Sequence, residues 1–240
     1  MVHLPLKKSL KSLRDFSIDT LFPKYCVGCR IEGTFICPIC FQKIIFVKTP
    51  TCYHCGRITP QGKICKTYRY KSSLTGTLVA THLNEGPIRD LIHSYKYEFI
   101  FALHENLSQI LVHGLPKLSE NKEDYILLPV PLHRERLAWR GFNQAELLTK
   151  DLVKATNIPM IQNGIIRTKK TKPQIELKPE ERRENMHGAF KGTAHANIVR
   201  NKIVLLVDDV LTTGTTLEAC AEALIPFGPK EIWGLVIAKG

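Results

Sequence analysis

The chain has 240 residues and a mass of 27.2 kDa, is 44% hydrophobic and 23% charged, and carries a formal net charge of +12. Ten Phe, seven Tyr and two Trp supply enough apolar surface for a core, which excludes wholesale disorder and fibrous classes. The length suits one medium domain plus a small module, or two small domains.

The charge is uneven. Residues 1–75 hold 13 Lys and Arg against 3 Asp and Glu, whereas residues 76–240 hold 21 against 19. Such asymmetry points to nucleic acid or an anionic membrane surface. Zinc bound by four thiolates is a net anion, and would cancel part of it. The longest uninterrupted apolar runs reach five residues, as in Ile203–Val207, against the roughly 20 of a membrane span. Lys7, Lys8 and Lys11 are followed by no apolar stretch, so no secretory signal is expected, and a soluble intracellular protein is the reading.

In chain order, Leu6, Leu10, Leu13 and Ser17 fall on one helical face opposite Lys7, Lys11 and Arg14. This short amphipathic helix either packs on the module that follows or lies on a membrane surface. Seven of the eight cysteines then lie between Cys26 and Cys65. Cys26-x2-Cys29 and Cys37-x2-Cys40 have the knuckle spacing of tetrahedral zinc, and a structural zinc ion at these four residues is expected. Disulfides would need an oxidising compartment, and a redox CxxC would need a βαβ context. Cys52, Cys55 and Cys65 make a second site only with a fourth ligand. Cys65-Lys-Thr-Tyr68 has the outline of a CxxC without its last thiol, and His54 is the nearest substitute. Alternatively, Cys52 and Cys55 join an earlier knuckle in a single site. Tyr68-Arg69-Tyr70-Lys71 interleaves aromatics with bases, and is either a stacking surface for single-stranded nucleic acid or a solvated edge.

From about residue 76 the pattern changes to alternating strands and helices. Strands are expected at Thr77–Leu83, Tyr125–Val130, Gly164–Thr168, Ile203–Val207 and Glu231–Lys239. Helices are expected at Pro87–Tyr97, Phe101–His113, from Asn143 to about Ala155, and at Thr215–Phe227, with a basic loop after Val130. No internal repeat and no low-complexity tract stand out. Apolar strands alternating with helices predict a largely parallel sheet covered on both faces. The boundary between the two parts, 1–75 and 76–240, is placed accordingly.

The segment Ile203–Thr216 is the richest in chemistry. A buried strand delivers Asp208 and Asp209, and a small-residue turn leads into a helix. The N–H groups of that turn, and the hydroxyls of Thr212, Thr213, Thr215 and Thr216, can surround a phosphate at the helix N-terminus. Gly214 permits close backbone approach. The two carboxylates stand where they can accept hydrogen bonds from vicinal sugar hydroxyls. No Gly-Lys-Ser/Thr follows, so this is not a P-loop.

That pattern resembles the phosphoribosyl pyrophosphate signature of type I phosphoribosyltransferases, and the chain from about Leu10 onward resembles the ComF family. The resemblance is carried by Leu21-Phe-Pro-x-x-Cys26, Leu91-Ile-x-x-Tyr-Lys-Tyr97, Pro129-Val-Pro-Leu-His-Arg-Glu-Arg136, Arg140-Gly-Phe-Asn-Gln144, Arg167-x6-Gln174-x2-Leu177-x4-Arg182 and the Asp208–Thr216 block. Tyr68, standing where a thiol would, departs from the pattern. The resemblance implies an α/β fold: a type I phosphoribosyltransferase-like parallel sheet with helices on both faces and a hood, plus a small N-terminal cysteine-rich zinc module. It implies bacterial cytoplasm, with peripheral contact at the inner membrane as a further option, and a role in natural competence. The partners implied are incoming single-stranded DNA and proteins of the DNA-uptake machinery. Some relatives are described as aiding the use of DNA as a nutrient.

Phosphoribosyl pyrophosphate with Mg²⁺ would place its 5′-phosphate in the Thr/Gly turn and its ribose hydroxyls at Asp208 and Asp209. Its pyrophosphate would meet His133, Arg134, Arg136 and Arg140, since arginine forks suit phosphate oxygens and open α/β sheets bind ligands at strand C-terminal ends. A basic surface loop is the plainer reading of these residues. Arg167–Phe190 is long and irregular enough to be a lid, with Lys169, Lys170 and Lys172 near the leaving group. Lys96 either reaches the pocket or lies on a helix surface. No general base or acceptor site is evident. Three functions follow in order. The first is a competence protein that binds phosphoribosyl pyrophosphate, or transfers from it, while its zinc module touches DNA. The second is a metabolic phosphoribosyltransferase with a purely structural module, and the third a non-catalytic zinc-module adaptor.

Overall fold

The structure, a computed structural model, describes residues 23–98, 100–115, 121–169, 186 and 188–240. The helix expected around Leu6–Ser17 and most of the Arg167–Phe190 segment, with Lys170 and Lys172, lie outside these residues.

The strands are β1 (Gly76–His82), β2 (Tyr125–Pro129), β3 (Ile165–Arg167), β4 (Phe190–Gly192), β5 (Ile203–Leu211) and β6 (Glu231–Lys239). Four of them form one sheet in the order β1-β6-β5-β2, with every pair parallel. Side chains alternate across it. Leu205, Val207, Leu235, Ile237, Leu78 and Leu127 enter one core, and Val204, Leu206, Val236, Ile126 and Leu128 enter the other. Burial on both faces is why these strands read as continuous apolar runs rather than as alternation.

The helices are α1 (Pro38–Gln42), α2 (Ile88–Tyr97), α3 (Leu103–Gly114), α4 (Arg134–Arg140), α5 (Gln144–Thr156) and α6 (Thr215–Leu224). The first face is covered by α2, α3 and α5, which bury Ile88, Leu91, Tyr95, Leu107, Leu111, Leu148 and Leu152 at helical spacing. Leu217, Ala221 and Leu224 of α6 cover the second face together with Phe190.

Three of the expected elements differ in the structure. The basic stretch after β2 is not a loop but contains α4. His133 Nδ1 accepts the Glu135 N–H at its start, and Gly141, in the left-handed region at φ 77°, closes it. The strand expected at Gly164–Thr168 pairs antiparallel with β4 outside the main sheet. The edge of β2 that it might have joined is occupied, since Leu127 bonds the Pro159 carbonyl and the Ile161 N–H. Thirdly, β5 runs to Leu211 rather than stopping at Val207, so both aspartates belong to the strand.

The cysteine-rich segment covers the open edge of β1. Val47 N–H donates to the Ala80 carbonyl at 2.9 Å, and bridges pair Phe46 with Thr81 and Lys63 with Gly76. Covering an edge strand removes a site for unwanted pairing. The segment also contains an internal repeat, contrary to expectation. Cys26 N–H donates to the Ile31 carbonyl and Arg30 N–H to the Cys26 carbonyl, while Cys52 N–H donates to Arg57 and Gly56 N–H to Cys52 with the same offsets. The repeat is one of backbone geometry, and few of its side chains coincide. Among the described residues, no helix is long and apolar enough to cross a membrane.

Candidate functional site

At the C-terminal edge of the sheet, a cavity of about 420 Å³ is lined by residues of α2, α4, β3, β5 and the turn after β5. Because successive residues of a strand point to opposite faces, Asp208 and Asp209 diverge while both still line this cavity. Asp209 is buried on the α2 side, where its carboxylate meets Lys96 Nζ at 2.8 Å. Lys96 therefore reaches the pocket. Asp208 lies on the α6 and hairpin side and accepts the Asp209 N–H at 2.9 Å. Burial, then the charge of Asp209, push its carboxyl up to about 7, while Lys96 and Arg167 pull the other way.

The same cavity is lined by Arg136, Arg140 and Arg167. Arg140 is only 7% exposed, and its Nε has no hydrogen-bond partner among the described residues. Its guanidinium lies 5.9 Å from the ring centroids of both Tyr97 and Trp139. Burial lowers the proton affinity of Arg140 and Arg167, so each is a cation short of solvent that an incoming anion would offset. The local sequence explains the placement: Gly141 ends α4, Asn143 Oδ1 caps α5 through the Ala145 N–H, and Asn143 Nδ2 ties the turn to the Val130 carbonyl. Arg167 comes from β3, where it pairs with Phe190 at the base of the expected lid.

The Thr/Gly turn follows β5 directly. Thr212 and Thr216 line the cavity, whereas the Thr213 and Thr215 hydroxyls bond one another. Gly214 caps α6 with φ 79°, and a Cβ there would sit 2.3 Å from Cε2 of Tyr53. The glycine thus serves both the turn and its contact with the cysteine module. Of the other expected residues, Arg134 is exposed and does not line the cavity, because α4 turns it away from Arg136. His133 caps that helix, and Lys169 is exposed outside the cavity lining. Arg167 joins the site beyond the residues expected there, and its signal in the sequence is its place at the head of Arg167-x6-Gln174-x2-Leu177-x4-Arg182.

In the module, the sulfurs of Cys26, Cys29, Cys37 and Cys40 lie within 4.8 Å of one another, with Cys29 and Cys37 3.6 Å apart. With Zn–S near 2.3 Å, a tetrahedral ion needs sulfurs about 3.8 Å apart, so the four fit zinc. The Cys37 N–H points at Cys26 Sγ, and a Cβ at Gly28 would come within 2.8 Å of Cys40 Sγ. Burial resists ionisation of Cys26, but the N–H groups of Cys37, Cys29 and Gly28 outweigh it and hold the thiol down to about 6. Cys52, Cys55 and Cys65 form a second, separate cluster rather than joining the first. His54 does not complete it: its ring is stacked between Tyr53 and Tyr68, and its Nε2 faces Glu218 at 3.7 Å. In the 68–71 segment, only Tyr70 of the two tyrosines is exposed, with Lys71 over its ring.

A parallel sheet that ends in this acid, arginine and threonine pocket, with cysteine knuckles on its edge, defines a phosphoribosyltransferase-fold protein carrying a zinc ribbon module. Family profiles agree: one described as a double zinc ribbon domain matches residues 17–68, and one described as a phosphoribosyl transferase domain matches residues 162–239. Competence protein F of Haemophilus influenzae is 32% identical over 224 residues, covering 89% of this chain and 96% of that one. DNA utilization protein YhgH of Escherichia coli K12 is 28% identical with the same coverage, and competence protein ComFC of Bacillus subtilis is 24% identical over 80% of this chain and 79% of its own. The chain belongs to the ComF family.

Proposed function

We propose that this chain binds phosphoribosyl pyrophosphate with Mg²⁺ in the pocket at the end of β5, and that it serves competence or DNA utilisation, as the names of its relatives indicate. The observation that carries the ligand reading is Arg140. A buried guanidinium with an unmatched Nε faces the same cavity as two carboxylates and a threonine turn at a helix N-terminus. This reading assigns pyrophosphate to Arg136, Arg140 and Arg167, the ribose hydroxyls to Asp208 and Asp209, and the 5′-phosphate to the N–H groups of 212–216 with the Thr212 and Thr216 hydroxyls. Mg²⁺ would arrive on the pyrophosphate and neutralise part of its charge. In a transfer, the bond from the anomeric carbon to pyrophosphate breaks with its electron pair on the leaving oxygen as the bond to an acceptor forms. Carboxylates beside the cation-like carbon would stabilise that state.

Single-stranded DNA is the polymeric partner in this reading, with the zinc module as its contact. Between residues 23 and 75 the one acidic residue is Glu32, while Arg30, Lys43, Lys48, Arg57, Lys63, Lys66, Arg69 and Lys71 are exposed. Titration calorimetry of phosphoribosyl pyrophosphate with Mg²⁺ tests the pocket. Binding to the wild type and its loss in the Asp208→Ala/Asp209→Ala variant are expected, and equal affinity in the two proteins would overturn the assignment.

A further inference from the structure

The second cysteine cluster is built into the wall of the phosphate turn. Tyr53, in the loop between Cys52 and Cys55, is 7% exposed and donates its hydroxyl to Glu218 of α6. Its ring lies directly on Gly214, as the 2.3 Å approach of a hypothetical Cβ shows. The chain leaving Cys65 grips the same carboxylate: Ser72 Oγ donates to Glu218 Oε1, and the Ser73 N–H donates to Oε2 at 2.8 Å. Glu218 N–H in turn bonds the Gly214 carbonyl. One carboxylate in the first turn of α6 thus receives both arms of the second knuckle pair.

The first and second repeats differ at one position that matters here. Cys40 follows Cys37 by three residues, and Tyr68 follows Cys65 by the same interval. Tyr68 offers no thiol. Its ring instead stacks on His54 with centroids 5.0 Å apart and planes within 9°, and His54 stacks on Tyr53 at 4.1 Å. The three rings join the two arms of the cluster immediately behind the residue that covers Gly214. The three sulfurs lie within 4.8 Å of one another, with Cys55 and Cys65 3.6 Å apart, a spacing suited to one zinc ion. Among the described residues, no fourth Cys, His, Asp or Glu ligand joins them.

The double zinc ribbon match implies a second zinc ion beside that of Cys26, Cys29, Cys37 and Cys40. We propose that in this chain it is held by only the three thiolates of Cys52, Cys55 and Cys65, with an exchangeable fourth position, and that it clamps the Thr212–Thr216 turn through Tyr53 and Glu218. With the ion bound, the Cys52 and Cys65 arms are held together, and Tyr53, Ser72 and Ser73 present a fixed set of donors to Glu218. Without it, the arms are joined by the ring stack and by their shared hydrogen bonds to Glu218, and the backing of the turn loosens. Three thiolates hold zinc less tightly than four, so this ion leaves before that of Cys26, Cys29, Cys37 and Cys40. The consequence for ligand affinity rests on the phosphoribosyl pyrophosphate reading; the clamp itself does not.

The test combines metal analysis with hydrogen exchange on the full chain. The wild type is expected to contain two zinc ions, and a chelator titration to remove one well before the other. Loss of the first ion should speed amide exchange across residues 212–218 by about tenfold or more, the equivalent of one lost net hydrogen bond. Cys65→Ser should reproduce this with one zinc ion retained. Tyr53→Phe and Glu218→Gln keep both cysteine sets, and so should retain both ions while still speeding exchange in 212–218. A single zinc ion per wild-type chain overturns the metal site. Unchanged exchange in 212–218 after loss of the first ion, or in both clamp variants, overturns the clamp whether or not phosphoribosyl pyrophosphate binds. Where it does bind, the clamp variants should weaken it by about tenfold, and full affinity in both would count against the clamp.

Discussion

Asp208 provides a pH-dependent stability that Asp208→Asn should remove. Its native carboxyl is raised from 3.8 to about 7, first by burial and then by the neighbouring charge of Asp209, which is itself paired with Lys96. The folded state therefore holds this proton more tightly than the unfolded chain. The resulting stabilisation is fully present below about pH 4, falls as pH rises between about 4 and 7, and is gone above that window. Taken at face value, the shift is worth at most about 4 kcal/mol. Asp208 is only half-buried where it faces the cavity, and solvent screening there reduces the expected effect to about 1–2 kcal/mol. Asn keeps the shape without the charge. Urea denaturation of both proteins at pH 5 and pH 8 should show the variant gaining about 1–2 kcal/mol on the wild type between the two conditions. A stability difference independent of pH would refute the reasoning, and would mean that Asp208 ionises as freely in the native protein as in the unfolded chain.

Two further substitutions probe the turn and the first metal site. Gly214→Ala should cost about 2–4 kcal/mol in urea denaturation, combining a left-handed backbone with overlap of the Tyr53 ring; a loss below about 0.5 kcal/mol would show that Tyr53 moves aside freely. Cys26→Ser should lower bound zinc by one ion per chain and destabilise the protein by at least about 3 kcal/mol, since closed structural sites contribute folding energy directly. Undiminished zinc content would require a different ligand set.

Much of this protein was legible in its sequence, because its signals are local. The apolar run that becomes β5, the knuckle spacing of Cys26 to Cys40 and the small-residue turn at 212–216 each depend on residues within one element. A strand buried on both faces, a tetrahedral thiolate site and a helix N-terminus open to anions all follow from chemistry that neighbours in the chain can specify. The Arg140 block was also readable as a motif, although its reason was not: a left-handed Gly141 and the Asn143 cap aim the arginine into the cavity.

What only tertiary structure decided is which side chains converge. Arg134 and Arg136 look equivalent in sequence, yet α4 turns one outward and the other to the pocket. Asp208 and Asp209 look like a pair, yet the strand sends them to opposite faces, where one meets Lys96 and the other is pushed toward the neutral form. Arg167 enters from a separate hairpin. Tyr53 and Glu218, 165 residues apart, carry no mutual signal until the cysteine module closes over β1 and α6. Local sequence sets the conformation of each element, but contacts between distant elements depend on how the layers pack. In this protein the pocket and its cysteine-rich wall are made of such contacts.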